Sequence, residues 1–365
     1  METNRQFIKS LIARTALILG ICIALTILFD PLFQYHQPLP QLKAVLTDKE
    51  YQVVGSLKTF DYDSVIVGSS VAENYNNAWF NQGFDCTSIK AIRTYGATAD
   101  LCFLLDIAFA EQDLKYVFYN CDTSSLDADP VLTYELTGAP TYLYDNSYLN
   151  DLQYLLNKDI LMEKTPFLIA SSFIGDYNED ESYNWSHWKS FSQTLVLSNY
   201  LRKPTINPML EETAYQQQLD GNLLLLTTCI SKHPETRFKI FFPPYSMLYW
   251  DNIYRNGKTD AYLYNMEQTI ETLLAYDNVD LYYFQAVDSI VCDLNNYMDA
   301  LHFSQEINYW MYEQMLAGNY RVTKENYHEV LSDMRSLVRQ IVEVEILPLE
   351  SSLIYDISDN GERLF

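Results

Sequence analysis

Five short runs rich in β-branched and aromatic residues, separated by longer stretches of helical character, constrain this chain more than any other feature. Residues 64–68 (SVIVG) form the first run and Ser88 and Ile89 belong to a second, weaker one. Residues 116–119 (YVFY) form a third. Residues 238–242 (FKIFF) form a fourth, stopped by Pro243 and Pro244, and residues 281–284 a fifth. Apolar runs this short, without alternation, suit strands covered on both faces. Helical patterns lie between them, for example at 98–111, 210–231 and 260–275. Strands alternating with helices predict an α/β fold: a parallel sheet flanked by helices in three layers.

A second constraint lies at the N-terminus. Residues 15–29 (TALILGICIALTILF) carry no charge, and Arg5, Lys9 and Arg14 all precede them. Fifteen helical residues span about 22 Å against a hydrocarbon core of about 30 Å. Leu11 and Ile12 add a turn, and Arg14 can reach back to the headgroups. Positive charge stays on the cytoplasmic side, so the body is expected outside. A cleaved signal peptide needs small residues after the apolar run. Here it ends in LFDPLFQYH, which favours an uncleaved anchor.

The expected division is a cytoplasmic stub and transmembrane anchor over 1–36, a juxtamembrane connector over 37–60 and an α/β domain over 61–344. Residues 345–365 form a C-terminal tail, expected to add an edge strand to the sheet near 352–355. The stretch of about 123–233 is too long for one crossover and reads as a helical insertion over one end of the sheet. It includes an aromatic segment, YNWSHW, at 183–188.

The chain has 365 residues, with 48 acidic and 24 basic side chains and a net charge of −24. The body has no basic run of the kind nucleic-acid binding requires. Six cysteines (Cys22, Cys86, Cys102, Cys121, Cys229, Cys292) show no CxxC pair or regular spacing. This argues against a zinc site or a disulfide framework and for buried thiols, with one bridge left open in an oxidising compartment. No metal site is expected.

Chemistry concentrates at two places. Gly68, Ser69 and Ser70 end the first strand, at the sheet edge where open α/β folds bind ligands. Far along the chain, YMDALHFS places Asp299 three residues before His302. A serine nucleophile needs a base, and the base needs a partner to fix its tautomer. Ser70, His302 and Asp299 supply these roles. Ser69, Pro244 and Tyr245, the last two in FFPPYS after the fourth run, are expected to line the pocket.

This order of motifs resembles the SGNH (GDSL-like) hydrolases, in which a strand leads into G-D-S or a variant and the last block is D-x-x-H. The resemblance spans roughly residues 20–340 and implies a flavodoxin-like three-layer domain. It makes Ser70 the nucleophile, Asp299 and His302 its relay, and Ser70, Gly96 (in RTYGAT) and Asn120 (in FYNCD) the oxyanion donors. The family usually has Gly-x-Asn-Asp at that third block, whereas Tyr119 and Cys121 flank Asn120 here. Within the superfamily the anchored layout is similar to the D-alanyl-transfer proteins of teichoic acid modification (the DltD type). It is also similar to membrane-anchored Gram-positive relatives with FDPLFQYH, FDYDSVIVGSS, FFPPYS and YMDALHFS.

The resemblance implies an extracytoplasmic serine esterase or O-acyltransferase working without a cofactor. Its target would be a cell-envelope glycan, teichoic acid or lipid-linked carrier, with a membrane acyltransferase as a partner. The competing expectation is a non-catalytic module that binds envelope polymer or acts as a scaffold. A conventional α/β-hydrolase fits less well, because its elbow needs a glycine where Ala72 stands.

Overall fold

The computed structural model describes residues 2–135 and 137–356. Residues 357–365 of the expected tail therefore lie outside the described residues. The chain forms two compact units, Met1–Asp61 with Tyr134–Tyr183, and Tyr62–Thr133 with Asn184–Phe365.

In the first unit, α1 spans Glu2–Phe29. Its stretch Asn4–Phe29 is 26 residues long and apolar enough to cross a membrane, and almost none of it is covered by protein. At 1.5 Å per residue it reaches about 39 Å, beyond the hydrocarbon core. It is therefore longer than the charge-free run, because the turns carrying Arg5 and Lys9 continue the same helix. A signal sequence would meet the same criteria. After α1 the chain turns around Asp30, whose carboxylate accepts the backbone N–H groups of Gln34, Tyr35 and His36 and the Tyr154 hydroxyl. A small core of Leu32, Leu143, Tyr154 and Ile160 packs beside it. Helix α2 (Lys49–Thr59) and a later helix at Thr165–Phe173 complete the unit.

The second unit is α/β. Its strands are β1 (Ser64–Gly68), β2 (Ser88–Ile92), β3 (Tyr116–Asn120), β4 (Arg237–Phe242), β5 (Val279–Tyr283) and β6 (Arg321–Val322). Every residue of β1, β2 and β5 is buried, which suits the apolar run of β1, while Lys90 in β2 and Asp280 in β5 are buried charges. The sheet order is β2-β1-β3-β4-β5-β6. The first five strands are parallel, with Val65 opposite both Ile89 and Val117, Phe118 opposite Lys239, and Ile240 opposite Leu281. β6 runs antiparallel, with Val322 opposite Leu281.

Helices cover both faces. Phe118 and Phe241 meet Phe80 and Tyr75 on one face, whereas Phe238 meets Phe109 on the other. The first face carries α3 (Asn77–Phe84), which packs on the late helix Gln305–Ala317. The second carries α4 (Thr98–Glu111), packed against α5 (Gln216–Lys232), which in turn packs on the helix Thr259–Leu273. The order 2-1-3-4-5 is one of the two common doubly wound arrangements, and it opens a crevice beyond the carboxyl ends of β1 and β3. The short strand expected near 352–355 is Ile354–Tyr355. It pairs with Leu201–Arg202 in a separate two-stranded sheet rather than with the main one.

Candidate active site

The crevice is reached first at the end of β1. A Cβ on Gly68 would lie 2.7 Å from the Ala72 Cβ and 2.8 Å from the Asn120 Cβ, so this sharp exit accepts no side chain. Ser69 is still extended, and Ser70 opens a 3₁₀ turn, Ser70–Ala72. The Val71 carbonyl accepts the Asn308 amide at 3.0 Å, which pins the turn from the helix Gln305–Ala317. The Ser70 Oγ then lies 2.7 Å from the His302 Nε2.

His302 sits in a tight loop closed by an antiparallel bridge between Tyr297 and Phe303 and by the Met298 N–H on the His302 carbonyl at 3.0 Å. The FFPPYS segment holds this loop from behind. Ser246 donates through its backbone N–H (3.2 Å) and hydroxyl (2.8 Å) to the Ala300 carbonyl, and the Tyr297 hydroxyl donates to the Pro244 carbonyl at 2.7 Å. The other ring nitrogen of His302, Nδ1, is 2.8 Å from the Asp299 Oδ2, while Asp299 Oδ1 accepts the N–H groups of Leu301 (2.9 Å) and His302 (2.8 Å). Burial alone would raise the Asp299 pKa. The hydrogen bond and charge of His302 and the two N–H donors outweigh it, and the carboxyl titrates below its ordinary value. Asp299 is thus held as an acceptor, which fixes the Nδ1–H tautomer and leaves Nε2 to face the serine.

A cavity of about 130 Å³ opens beside Ser70 and His302. Ser69, Gly96, Asp122 and Tyr245 line it, with no Lys or Arg among the lining residues. Two of the expected oxyanion donors are committed elsewhere. The Gly96 N–H donates to the Arg93 carbonyl at 3.1 Å, although Gly96 itself faces the cavity. Asn120 is fully buried, does not line the cavity, and gives its amide N–H to Asp122 at 3.0 Å. The Ser70 backbone N–H has no acceptor among the described residues. Pro244 likewise stays behind the wall and acts through its carbonyl, while Tyr245 reaches the cavity.

Two residues join the site that the sequence motifs did not single out. Asp122, just past β3, receives Asn120, the Tyr245 hydroxyl and the Ser69 hydroxyl. Its pKa is raised by burial, against the pull of those donors and of nearby His302. An acid two residues beyond β3 at the ligand edge was its sequence signal. Trp185 is the second. Its indole Nε1–H donates to the Ser70 carbonyl at 2.9 Å, and its ring stands edge-on to His302 with centroids 5.4 Å apart. Asn74 fixes this segment by accepting the N–H groups of Trp185 and Ser186, both at 3.2 Å. Nothing local in YNWSHW distinguishes Trp185 from its neighbours. His187, two positions on, is exposed.

The chain matches no family model and is significantly similar to no curated protein. All six cysteines are free thiols, and among the described residues no cluster of His, Cys, Asp and Glu could hold a metal ion.

Proposed function

We propose that the chain is an extracytoplasmic, SGNH-type serine esterase or O-acyltransferase of the cell envelope, anchored by α1 with its N-terminus in the cytoplasm. The observation that carries this is the continuous relay Ser70–His302–Asp299, with links of 2.7 and 2.8 Å, at the switch point of the sheet. In this reading the Ser70 Oγ attacks an acyl carbonyl while Nε2 of His302 takes its proton. The imidazolium, stabilised by Asp299, returns that proton to the departing alkoxide, and the acyl group stays on Ser70. Water or a sugar or polyol hydroxyl, deprotonated by the same nitrogen, then attacks the ester and releases Ser70. Water gives hydrolysis and a hydroxyl gives transfer. The sequence needs no metal or organic cofactor.

The cavity supports a small acyl group, since about 130 Å³ lies well under the ~300–1,000 Å³ of pockets for drug-sized ligands. A buried acid and the lack of a Lys or Arg in its lining disfavour an anionic acyl group. The acceptor side, a glycan, teichoic acid or lipid-linked carrier, follows from the anchored location and from the resemblance to membrane-anchored Gram-positive relatives. A membrane acyltransferase partner belongs to the same proposal, as does the reading of residues of about 123–233 as a helical insertion.

One observation favours the second reading, a non-catalytic binding or scaffold module. With the Gly96 N–H on the Arg93 carbonyl and Asn120 buried outside the cavity lining, one of its amide N–H groups on Asp122, oxyanion stabilisation falls on the Ser70 N–H. Each missing donor costs about 10²–10³ in rate. Reaction of the full chain with a fluorophosphonate probe separates the two. Labelling lost in Ser70→Ala supports the enzyme, and an unlabelled wild type supports the module.

A further inference from the structure

The first unit exposes apolar side chains outside α1 as well. Leu149 is 91% exposed and Leu152 55%. They flank a short helical turn, Leu152–Leu155, that packs against α1, and the Thr26 hydroxyl in the last turn of α1 donates to the Leu155 carbonyl at 3.2 Å. Further along, the chain runs as a π-turn, Ile160–Lys164, into the helix Thr165–Phe173, and this π-turn also packs against α1. Along that helical stretch Met162, Phe167, Phe173 and Ile174 are all exposed, the last by 86%. With the exposed Pro166 and Ala170 between them, they recur at spacings of three and four, so they share one outward face. Thr165 and Leu168 point inward instead.

Charge is sparse on that outward face. Glu163 is exposed in its first turn, but Lys164 turns back onto Asp48 at 2.7 Å. A folded domain rarely leaves such a contiguous apolar face in water. Its position indicates the occupant, because both apolar stretches are tied to α1, one of them through its final turn, where an outward-going anchor leaves the bilayer. Exposed Tyr148, next to Leu149, adds an aromatic of the kind enriched at that depth.

We infer that residues 148–174 form an interfacial element that lies in the outer leaflet beside α1, with Leu149, Leu152, Met162, Phe167, Phe173 and Ile174 among the acyl chains. This rests on the reading of α1 as a membrane anchor. The occupant is lipid, reached by a helix with an apolar face rather than by a second span. The first unit then meets the membrane through a broad foot as well as a single rod, which restricts how the chain can tilt about its anchor.

The test is photolabelling of the full chain in nanodiscs that contain a trace of phosphatidylcholine carrying a diazirine on its acyl chain, with adducts mapped by mass spectrometry. Adducts are expected both in 15–29 and in 148–174. Adducts in 15–29 with none in 148–174 overturn the inference and leave the anchor standing, and would fit a face covered by a protein partner instead. The absence of adducts in 15–29 overturns the anchor reading and the inference with it. In the double variant Phe167→Asp, Phe173→Asp, both sites being exposed, labelling of 160–174 should fall at least tenfold while labelling of 15–29 stays constant. Unchanged labelling of 160–174 would refute lipid burial of this face.

Discussion

Replacing Asp299 by asparagine tests the relay most sharply, because the surrounding donors dictate how the new side chain must sit. Asp299 Oδ1 receives two backbone N–H groups, at 2.9 and 2.8 Å. An amide NH₂ cannot face those donors, so in Asp299→Asn the side-chain oxygen occupies the Oδ1 position. The NH₂ group then takes the place of Oδ2, 2.8 Å from the His302 Nδ1. Nδ1 must become the acceptor, and the imidazole proton moves to Nε2, the nitrogen 2.7 Å from the Ser70 Oγ. The base loses the lone pair that would receive the serine proton. The corresponding change in a Ser-His-Asp triad lowers kcat by about 10⁴, or about 5 kcal/mol in the barrier. The measurements are initial rates of fluorophosphonate labelling and of p-nitrophenyl acetate hydrolysis, with thermal melting as a check on folding. The backbone contacts are retained, so the melting temperature should be nearly unchanged. An Asp299→Asn protein that reacts within tenfold of wild type would refute the relay.

Trp185→Phe keeps a ring against His302 but removes the N–H on the Ser70 carbonyl. One neutral hydrogen bond is worth about 0.5–1.5 kcal/mol, so the labelling rate should fall roughly two- to tenfold through kcat, with KM steady. A change confined to KM would count against a positioning role. Asp280, whose side chain is 8% exposed, meets Arg237, Lys239 and Arg321 at the β4–β5–β6 edge. Burial would raise its pKa, but these cations pull it below its ordinary value. Its stabilising effect is therefore present at neutral pH and is lost as the pH falls through the depressed folded value. Two of the cations are over a third exposed, so Asp280→Ala should cost about 2 kcal/mol at pH 7, between surface and buried ion pairs. The gap between variant and wild type in denaturant melts should close as the pH falls through the acid range. A gap of the same size at both ends would refute the assignment.

The parallel strands were legible because burial on both faces writes short runs dominated by β-branched and aromatic residues, as in SVIVG and FKIFF, although Lys239 interrupts the second. β6 was not, since Arg321–Val322 offers two residues and no run. It exists because Val322 and Arg321 pair with an edge already made by β5. The N-terminal helix was readable as apolar but short, because charge marks the edge of a hydrophobic run and not the end of a helix. In the site, Gly68-Ser69-Ser70 and Asp299–His302 could be read because each is local. Whether Gly96 and Asn120 have donors to offer could not, since that depends on the Arg93 carbonyl and on Asp122. Trp185 contributes only through space. Residues of about 123–233 read as one helical insertion, yet 134–183 join the N-terminal residues while 184–233 supply α5 to the sheet.

Asp122 bears on what the cavity can accept. A carboxyl that receives an amide, a phenol and a serine hydroxyl is surrounded by donors that favour its charged form, while burial raises its pKa. Its negative form opposes a developing oxyanion but favours the imidazolium of His302, and the same charge therefore helps one half of the acylation step and hinders the other. On the proposed reading the balance would depend on distance from the reacting carbonyl, which the Ser70 N–H would set by fixing where the oxyanion points. An acyl group small enough for about 130 Å³ can place its carbonyl oxygen at that N–H and its other substituent toward Asp122. If the chain is the proposed esterase or transferase, the charged form of Asp122 would favour a substituent that donates hydrogen bonds or carries positive charge over one that carries negative charge.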